Sequence, residues 1–151
     1  MHRKALVPLD GSQMAECALS HVKDFVKDGT VGEVTLLHVV RVDIPWESVY
    51  EQRLDIDGLR KKLFAISGKY LSDVQSRLAA EGIEAKTETI ESNYLADAVN
   101  QYALKQGMDM IFVATHGYTG LKKMLLGSTA LQILQQSHVP VYLIRPEACR
   151  L

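Results

Sequence analysis

The stretch from Ala114 to Ser128, Ala-Thr-His-Gly-Tyr-Thr-Gly-Leu-Lys-Lys-Met-Leu-Leu-Gly-Ser, gathers the residue types best suited to holding a ligand. Gly117 and Gly120 permit backbone conformations and close approaches that a Cβ would block. Gly127 and Ser128 stand just before an apolar helical period. The first amides of such a helix have no intrahelical acceptor, and the helix dipole adds about half a positive charge at that end. Together they make a ready anion site. Ser128 and Thr129 contribute hydroxyl donors, and Lys122 and Lys123 contribute positive charge, so a phosphate chain is the natural guest. The competing reading is a plain turn in which Ser128 only caps the helix. The loop lacks the Gly-x4-Gly-Lys-Ser/Thr order of a phosphate loop. Nor is it the Gly-x-Gly-x-x-Gly turn that should follow a first strand in dinucleotide sites.

Five apolar runs and four helical periods must position that loop. Residues 5–9 read as a first strand closed by the turn signal Asp10-Gly11-Ser12. Pro8 cannot donate to a ladder and should sit near the strand end. Met14, Ala15, Ala18, Leu19, Val22, Phe25 and Val26 form one helical stripe, with Ser12 as N-cap and Lys27 and Gly29 at the stop. Residues 34–40 are a second strand. Leu59, Leu63, Ile66, Tyr70, Leu71, Val74 and Leu78 give a second helix closed by Gly82, and residues 83–90 alternate as a more exposed third strand. A third helix runs from Leu95 to Gly107, a fourth strand covers 110–115, a fourth helix opens at Ser128, and a fifth strand covers 139–144. Strands separated by helices imply right-handed crossovers and a mainly parallel sheet covered on both faces. Ligands of such sheets bind beyond the carboxyl ends of the strands, where the winding reverses.

Composition narrows the classes. The chain has 151 residues, which fits one domain over 1–151, and its 47% hydrophobic and 23% charged residues are ordinary for a globular protein. Seventeen Lys and Arg against eighteen Asp and Glu leave a formal charge of −1. No global positive field is present to hold a nucleic acid or an anionic membrane. No apolar run approaches the roughly 18 residues of a membrane helix, and no leader-like segment opens the chain. The two cysteines, Cys17 and Cys149, have no metal-ligand spacing and favour a reducing interior. The expectation is a soluble cytoplasmic protein, with Cys17 a small core residue and Cys149 an exposed thiol.

Over nearly its whole length the chain resembles the universal stress protein family. The resemblance rests on Val7-Pro8-Leu9-Asp10-Gly11-Ser12, on Leu36-Leu37-His38-Val39, on Val139-Pro140-Val141 and on the long loop. The nucleotide-binding branch carries Gly-x2-Gly-x9-Gly-Ser/Thr, which aligns here as Ala114-x2-Gly117-x9-Gly127-Ser128. The resemblance implies a Rossmann-like five-stranded sheet of order 3-2-1-4-5, with the ends of strands 1 and 4 side by side. It implies ATP as ligand, with any Mg²⁺ or Mn²⁺ held mainly by the phosphates. Pro8, Leu9 and Asp10 would line the adenine and ribose end, and Val39 would offer backbone groups to the base. Val113, Ala114, His116 and Gly117 would bring the loop to the ribose and phosphates, and Gly127, Ser128 and Thr129 would cradle the phosphate chain. Two positions depart from the pattern. Ala114 replaces its first glycine, which costs about 1 kcal/mol if the backbone there is left-handed and only a methyl's space otherwise. Glu91-Ser92-Asn93-Tyr94 stands where the family often has a Gly- or Pro-containing turn. The residues do not separate ATP from AMP or a cyclic adenine nucleotide.

Other chemistry is thin. Asp10 alone cannot supply the acidic cluster of a phospho-receiver site. The five histidines share no ligand spacing, and His38, in an apolar strand, reads as a satisfied core residue. No nucleophilic triad, general base or metal cage is recognisable, so slow ATP hydrolysis and a nucleotide-free scaffold stand only as alternatives to a nucleotide-dependent regulator. Residues 41–57 carry no period and suggest a short helix or a lid, with Trp46 and Tyr50 either covers for a base or plain packing residues. The apolar last strand, Val141 to Ile144, would invite pairing if it is an edge, and similar proteins dimerise through it, so a homodimer is expected.

Overall fold

The computed structural model describes residues 3–43, 55–115 and 126–145. Five strands alternate with helices: β1 (Arg3–Leu9), α1 (Gln13–Glu16), α2 (Ala18–Lys27), β2 (Val31–Val40), α3 (Ile56–Ala80), β3 (Ala85–Glu91), α4 (Leu95–Lys105), β4 (Met110–Ala114), α5 (Ser128–Gln136) and β5 (Val141–Ile144). The strands form one sheet of order β3-β2-β1-β4-β5, and every pairing is parallel. The anticipated order is therefore present, and the winding reverses between β1 and β4.

Alternation along the strands separates two cores. Ala5, Val7 and Leu9 of β1 and Met110 and Phe112 of β4 face α1, α2 and α3, where Leu19, Val22, Leu71, Val74 and Leu78 meet them. Leu6, Leu37, Val39, Ile111 and Val113 face the other way and pack against Val99 and Ala103 of α4 and Ala130 and Ile133 of α5. Phe112 stacks on Tyr142 of β5 with centroids 4.8 Å apart, and Phe25 of α2 meets both rings edge-on at 5.1 and 5.2 Å. Such aromatic pairs add about 0.5–1.5 kcal/mol each beyond burial.

Local chemistry explains the element ends. The first expected helix divides at Cys17, where the amide bonds to Met14 O at 3.2 Å, a tighter i→i−3 turn. Glycines in the left-handed region close α2, α3 and α4: Gly29 at φ +83°, Gly82 at +80° and Gly107 at +63°. β3 starts at Ala85 rather than Ile83, because the Ile83 amide returns to Leu78 O to finish α3. β5 starts at Val141, since Pro140 has no N–H and contributes only its carbonyl, to Ile111 N. Pro8 pairs with Leu37 one residue before the end of β1.

Cys17 is buried, as anticipated, but it is disulfide-bonded rather than reduced. That departs from the thiols expected of a reducing interior. Cys149, Trp46 and Tyr50 lie outside the described residues, as does most of the 41–57 segment. α3 begins at its end, with the Asp55 side chain accepting from Gly58 N at 2.9 Å. Among the described residues no helix is long and apolar enough to cross a membrane.

Candidate functional site

At the carboxyl ends of β1 and β4 the sheet opens into a pocket of about 250 Å³. Its inner part is apolar: Leu37 and Val39 of β2, Val99 of α4, Val113 of β4 and Ile133 of α5. One wall is the β1–α1 turn, with Pro8, Leu9 and Asp10 followed by Ala15. The other is the start of α5, with Gly127, Ser128, Thr129 and Ala130. An apolar interior with polar groups at one end suits a ligand that is flat and apolar at one end and charged at the other.

The first wall is fixed by its own hydrogen bonds. Asp10 Oδ1 accepts from Ser12 N at 2.9 Å and from Ser12 Oγ at 2.5 Å. Ser12 Oγ in turn accepts from Ala15 N at 3.1 Å, so the N-cap read from the sequence is present. Gly11, between them, has φ +87°, a backbone state a side chain would strain. The Asp-Gly-Ser turn is thus set by a short acceptor, a left-handed residue and a hydroxyl cap.

The second wall begins where Thr115 leaves β4. Thr115 N donates to Ile144 O at 2.9 Å, and Thr115 O accepts from Gly127 N at 2.6 Å. The two ends of the glycine loop therefore lie side by side. Gly127 is the N-cap of α5, with φ −66° and ψ 153°, and no side chain caps the helix. The first intrahelical bond runs from Leu131 N to Gly127 O at 3.0 Å, which leaves the amides of Ser128, Thr129 and Ala130 ahead of it. No acidic side chain stands in that first turn. The helix end is electropositive and faces the pocket.

Nine of the anticipated residues thus line one cavity: Pro8, Leu9 and Asp10; Val39; Val113 and Ala114; Gly127, Ser128 and Thr129. His116 and Gly117 lie outside the described residues, with Gly120, Lys122 and Lys123. Ala114 is the last residue of β4 and pairs with Ile144, so its backbone is extended. Alanine there adds a methyl without left-handed strain. The Glu91–Tyr94 turn works without Gly or Pro, because Ser92 N donates to Val40 O and Ser92 Oγ accepts from Tyr94 N, both at 3.0 Å. Leu37, Leu95, Val99 and Ile133 also line the pocket and were not singled out from sequence. Their signal was available only through register: Leu37 is the β2 partner of Pro8.

On the opposite face of the sheet, His38 Nδ1 lies 2.7 Å from Ser67 Oγ, which lies 2.7 Å from Thr89 Oγ1. His38 is therefore hydrogen-bonded, as expected, but half-buried at the margin of the core rather than inside it. Burial pushes its pKa below the usual value, against the smaller opposing pull of Asp10. No group of three or more His, Cys, Asp or Glu among the described residues could hold a metal ion.

Comparison with known proteins matches residues 1–145 to the model of the universal stress protein family. Universal stress protein MJ0577 of Methanocaldococcus jannaschii is 31% identical over 157 aligned positions, covering 96% of each chain. A structure reported for that hypothetical protein superposes with a TM-score of 0.80 over 96% of both chains. YxiE of Bacillus subtilis is 32% identical, covering 96% of this chain and all of that one. A universal stress protein solved in complex with cAMP, and one from Archaeoglobus fulgidus with dAMP, share the fold at 16% identity, with TM-scores of 0.64 and 0.62.

Proposed function

Since the chain belongs to the universal stress protein family, we propose that it binds ATP in the β1–β4 pocket and acts as a dimeric, nucleotide-dependent regulator formed by residues 1–151. The observation that carries this reading is the meeting of two walls from opposite ends of the sequence. The Asp10 turn faces the first-turn amides of α5 across an apolar hollow. Leu37, Val39, Val99 and Val113 offer the base an apolar slot, and the backbone of Val39 offers it an edge. Pro8, Leu9 and Asp10 take the ribose side. Ala114, His116 and Gly117 bring the loop to the ribose and phosphates. Gly127, Ser128 and Thr129 donate to the phosphate chain, where bare amides and a helix dipole favour negative charge. With no cluster of metal-binding side chains among the described residues, a Mg²⁺ or Mn²⁺ ion would take its ligands from the phosphates and water. Relatives solved with cAMP and dAMP share the fold and support an adenine nucleotide as the class of ligand.

Calorimetry with Mg-ATP tests the reading: heat of binding and a raised melting temperature are expected, and neither at millimolar ligand would refute it. The reading is binding rather than turnover, so sustained hydrolysis above about 1 s⁻¹ would overturn it. Mass spectrometry of whatever the purified protein releases on denaturation identifies the nucleotide. For the dimer, the support is β5, a sheet edge with Tyr142 and Leu143 each 36% exposed. Gel filtration should give twice the 16.8 kDa chain mass, and a single-chain mass at micromolar concentration contradicts it.

A further inference from the structure

α1 brings Ala15 into one wall of the pocket, yet it has only four residues. A single turn is far below the length at which a helix holds itself together in water. Something outside it must keep it in place. Its start is set by the Asp10–Ser12 hydrogen bonds. Its end is held differently, by the disulfide at its C-cap Cys17 and by the side chain of Glu16. Glu16, the last residue of α1, is 6% exposed, and a carboxylate withdrawn from water that far requires partners. Both partners come from α3. Arg77 Nη2 donates to Glu16 Oε1, and the Tyr70 hydroxyl donates to Glu16 Oε2 at 3.3 Å. The Arg77 side chain is 59% exposed, so its guanidinium reaches inward from the surface. The Tyr70 ring packs edge-on against His38, with centroids 5.8 Å apart.

We propose that Glu16, Tyr70 and Arg77 form a positioning triad that fixes the α1 wall of the pocket from beneath, by tying α1 to the long helix α3. The inference rests on the nucleotide-binding reading for its functional consequence and on geometry for its mechanical one. Asp10, three residues ahead of α1, and Ala15, within it, both line the pocket. A wall that must meet a ligand within about 0.5 Å needs its supporting shell locked, and here the lock is a charge-assisted pair with a phenol at its side. Burial, and next the neighbouring Glu16, push the Tyr70 hydroxyl well above its usual titration range, so it remains a donor. None of the three lines the pocket; Glu16 and Arg77 act through α1, and the Tyr70 hydroxyl also meets the Gly11 backbone in the turn ahead of it.

Two variants and two measurements test this. Arg77→Gln removes the charge and Tyr70→Phe removes the hydroxyl while keeping the ring. In the full chain without nucleotide, amide exchange at residues 15–17 should quicken about tenfold in each variant, while β2 amides at Leu36 and Leu37 keep the wild-type rate. In calorimetry each should bind Mg-ATP about tenfold more weakly, and Arg77→Lys, which restores a single charged donor, should recover affinity to near wild type. Unchanged exchange at 15–17 in both variants overturns the triad, as does unchanged ATP affinity where wild type binds. If wild type binds no ATP, the nucleotide reading fails, and the exchange measurement alone then upholds or overturns the triad.

Discussion

The two faces of the sheet bury polar groups in opposite ways. Under α1, α2 and α3, two sets of polar groups are paired side chain to side chain, Glu16 with Arg77 and Tyr70, and His38 with Ser67 and on to Thr89, while His21 Nε2 of α2 has no hydrogen-bond partner among the described residues. That face also carries the Phe25–Phe112–Tyr142 aromatic cluster. Under α4 and α5 the strands present mostly aliphatic residues, and their carboxyl ends stop short of closure, leaving the pocket. The polar groups at its rim, the first amides of α5, are left without an acceptor from the helix itself. The comparison teaches a division of labour. Paired polar groups hold the frame in one arrangement, and unpaired ones at the rim are available to a guest.

Truncating the filled face should break the frame. Phe112 is fully buried between Phe25 and Tyr142, so Phe112→Ala should cost about 3–5 kcal/mol through lost burial and the cavity left behind. Urea unfolding at constant m-value measures it. A loss under about 1 kcal/mol would mean the face collapses around the gap, and the contrast between the two faces would weaken. Because the pocket lies mainly against α4 and α5, ATP affinity measured well below the variant's melting temperature should change far less than stability.

Gly127→Asp should do the reverse. At φ −66° and ψ 153° the backbone accepts any residue, and aspartate is a favoured N-cap. Thermal stability should therefore hold or rise slightly. The same carboxylate would occupy the helix end and repel phosphates, so ATP affinity should fall at least about 100-fold, near 2.7 kcal/mol. Retained affinity in this variant would remove α5 from the phosphate site.

How much of this was legible in the sequence depends on whether the signal was local. The element order was legible because apolar runs and helical stripes alternate, and the first three helical periods close near glycines of positive φ, Gly29, Gly82 and Gly107. Ser12 was legible as a cap because capping is read across three residues. Strand starts were less so. Ile83 looks like the first residue of an alternating strand, yet its amide is taken by Leu78 of the preceding helix. The pocket's rim was legible through glycines and hydroxyls, and Val39 and Val113 of its interior through the family resemblance, whereas the rest of the interior was not. Leu37, Val99 and Ile133 are ordinary aliphatic residues whose shared position depends on register and on how α4 and α5 lie over the sheet. The Glu16 anchor was equally hidden, since its partners lie 54 and 61 residues away and nothing local distinguishes it from a surface glutamate.

The smallest effect sharpens the comparison on the filled face, and its sign follows from linkage. His38 has a folded pKa held below 6.5, chiefly by burial, with Asp10 pulling weakly the other way. The unfolded chain therefore takes up the proton first as pH falls. Stability from neutral His38 is fully present above about pH 6.5 and is lost as pH drops through that value toward the folded pKa. The slope cannot exceed about 1.4 kcal/mol per pH unit for one group. Exposed carboxylates do not share the window: Glu33 and Glu81 are held below 4.5 by Lys86 and Lys23, so their contribution is lost only at more acidic pH. Urea midpoints between pH 7.5 and 5 should therefore decline in wild type. In His38→Gln, which keeps a polar group for Ser67 but cannot titrate, they should run nearly flat. An equal decline in both would move the titration to another group and leave the His38–Ser67–Thr89 chain a purely structural contact.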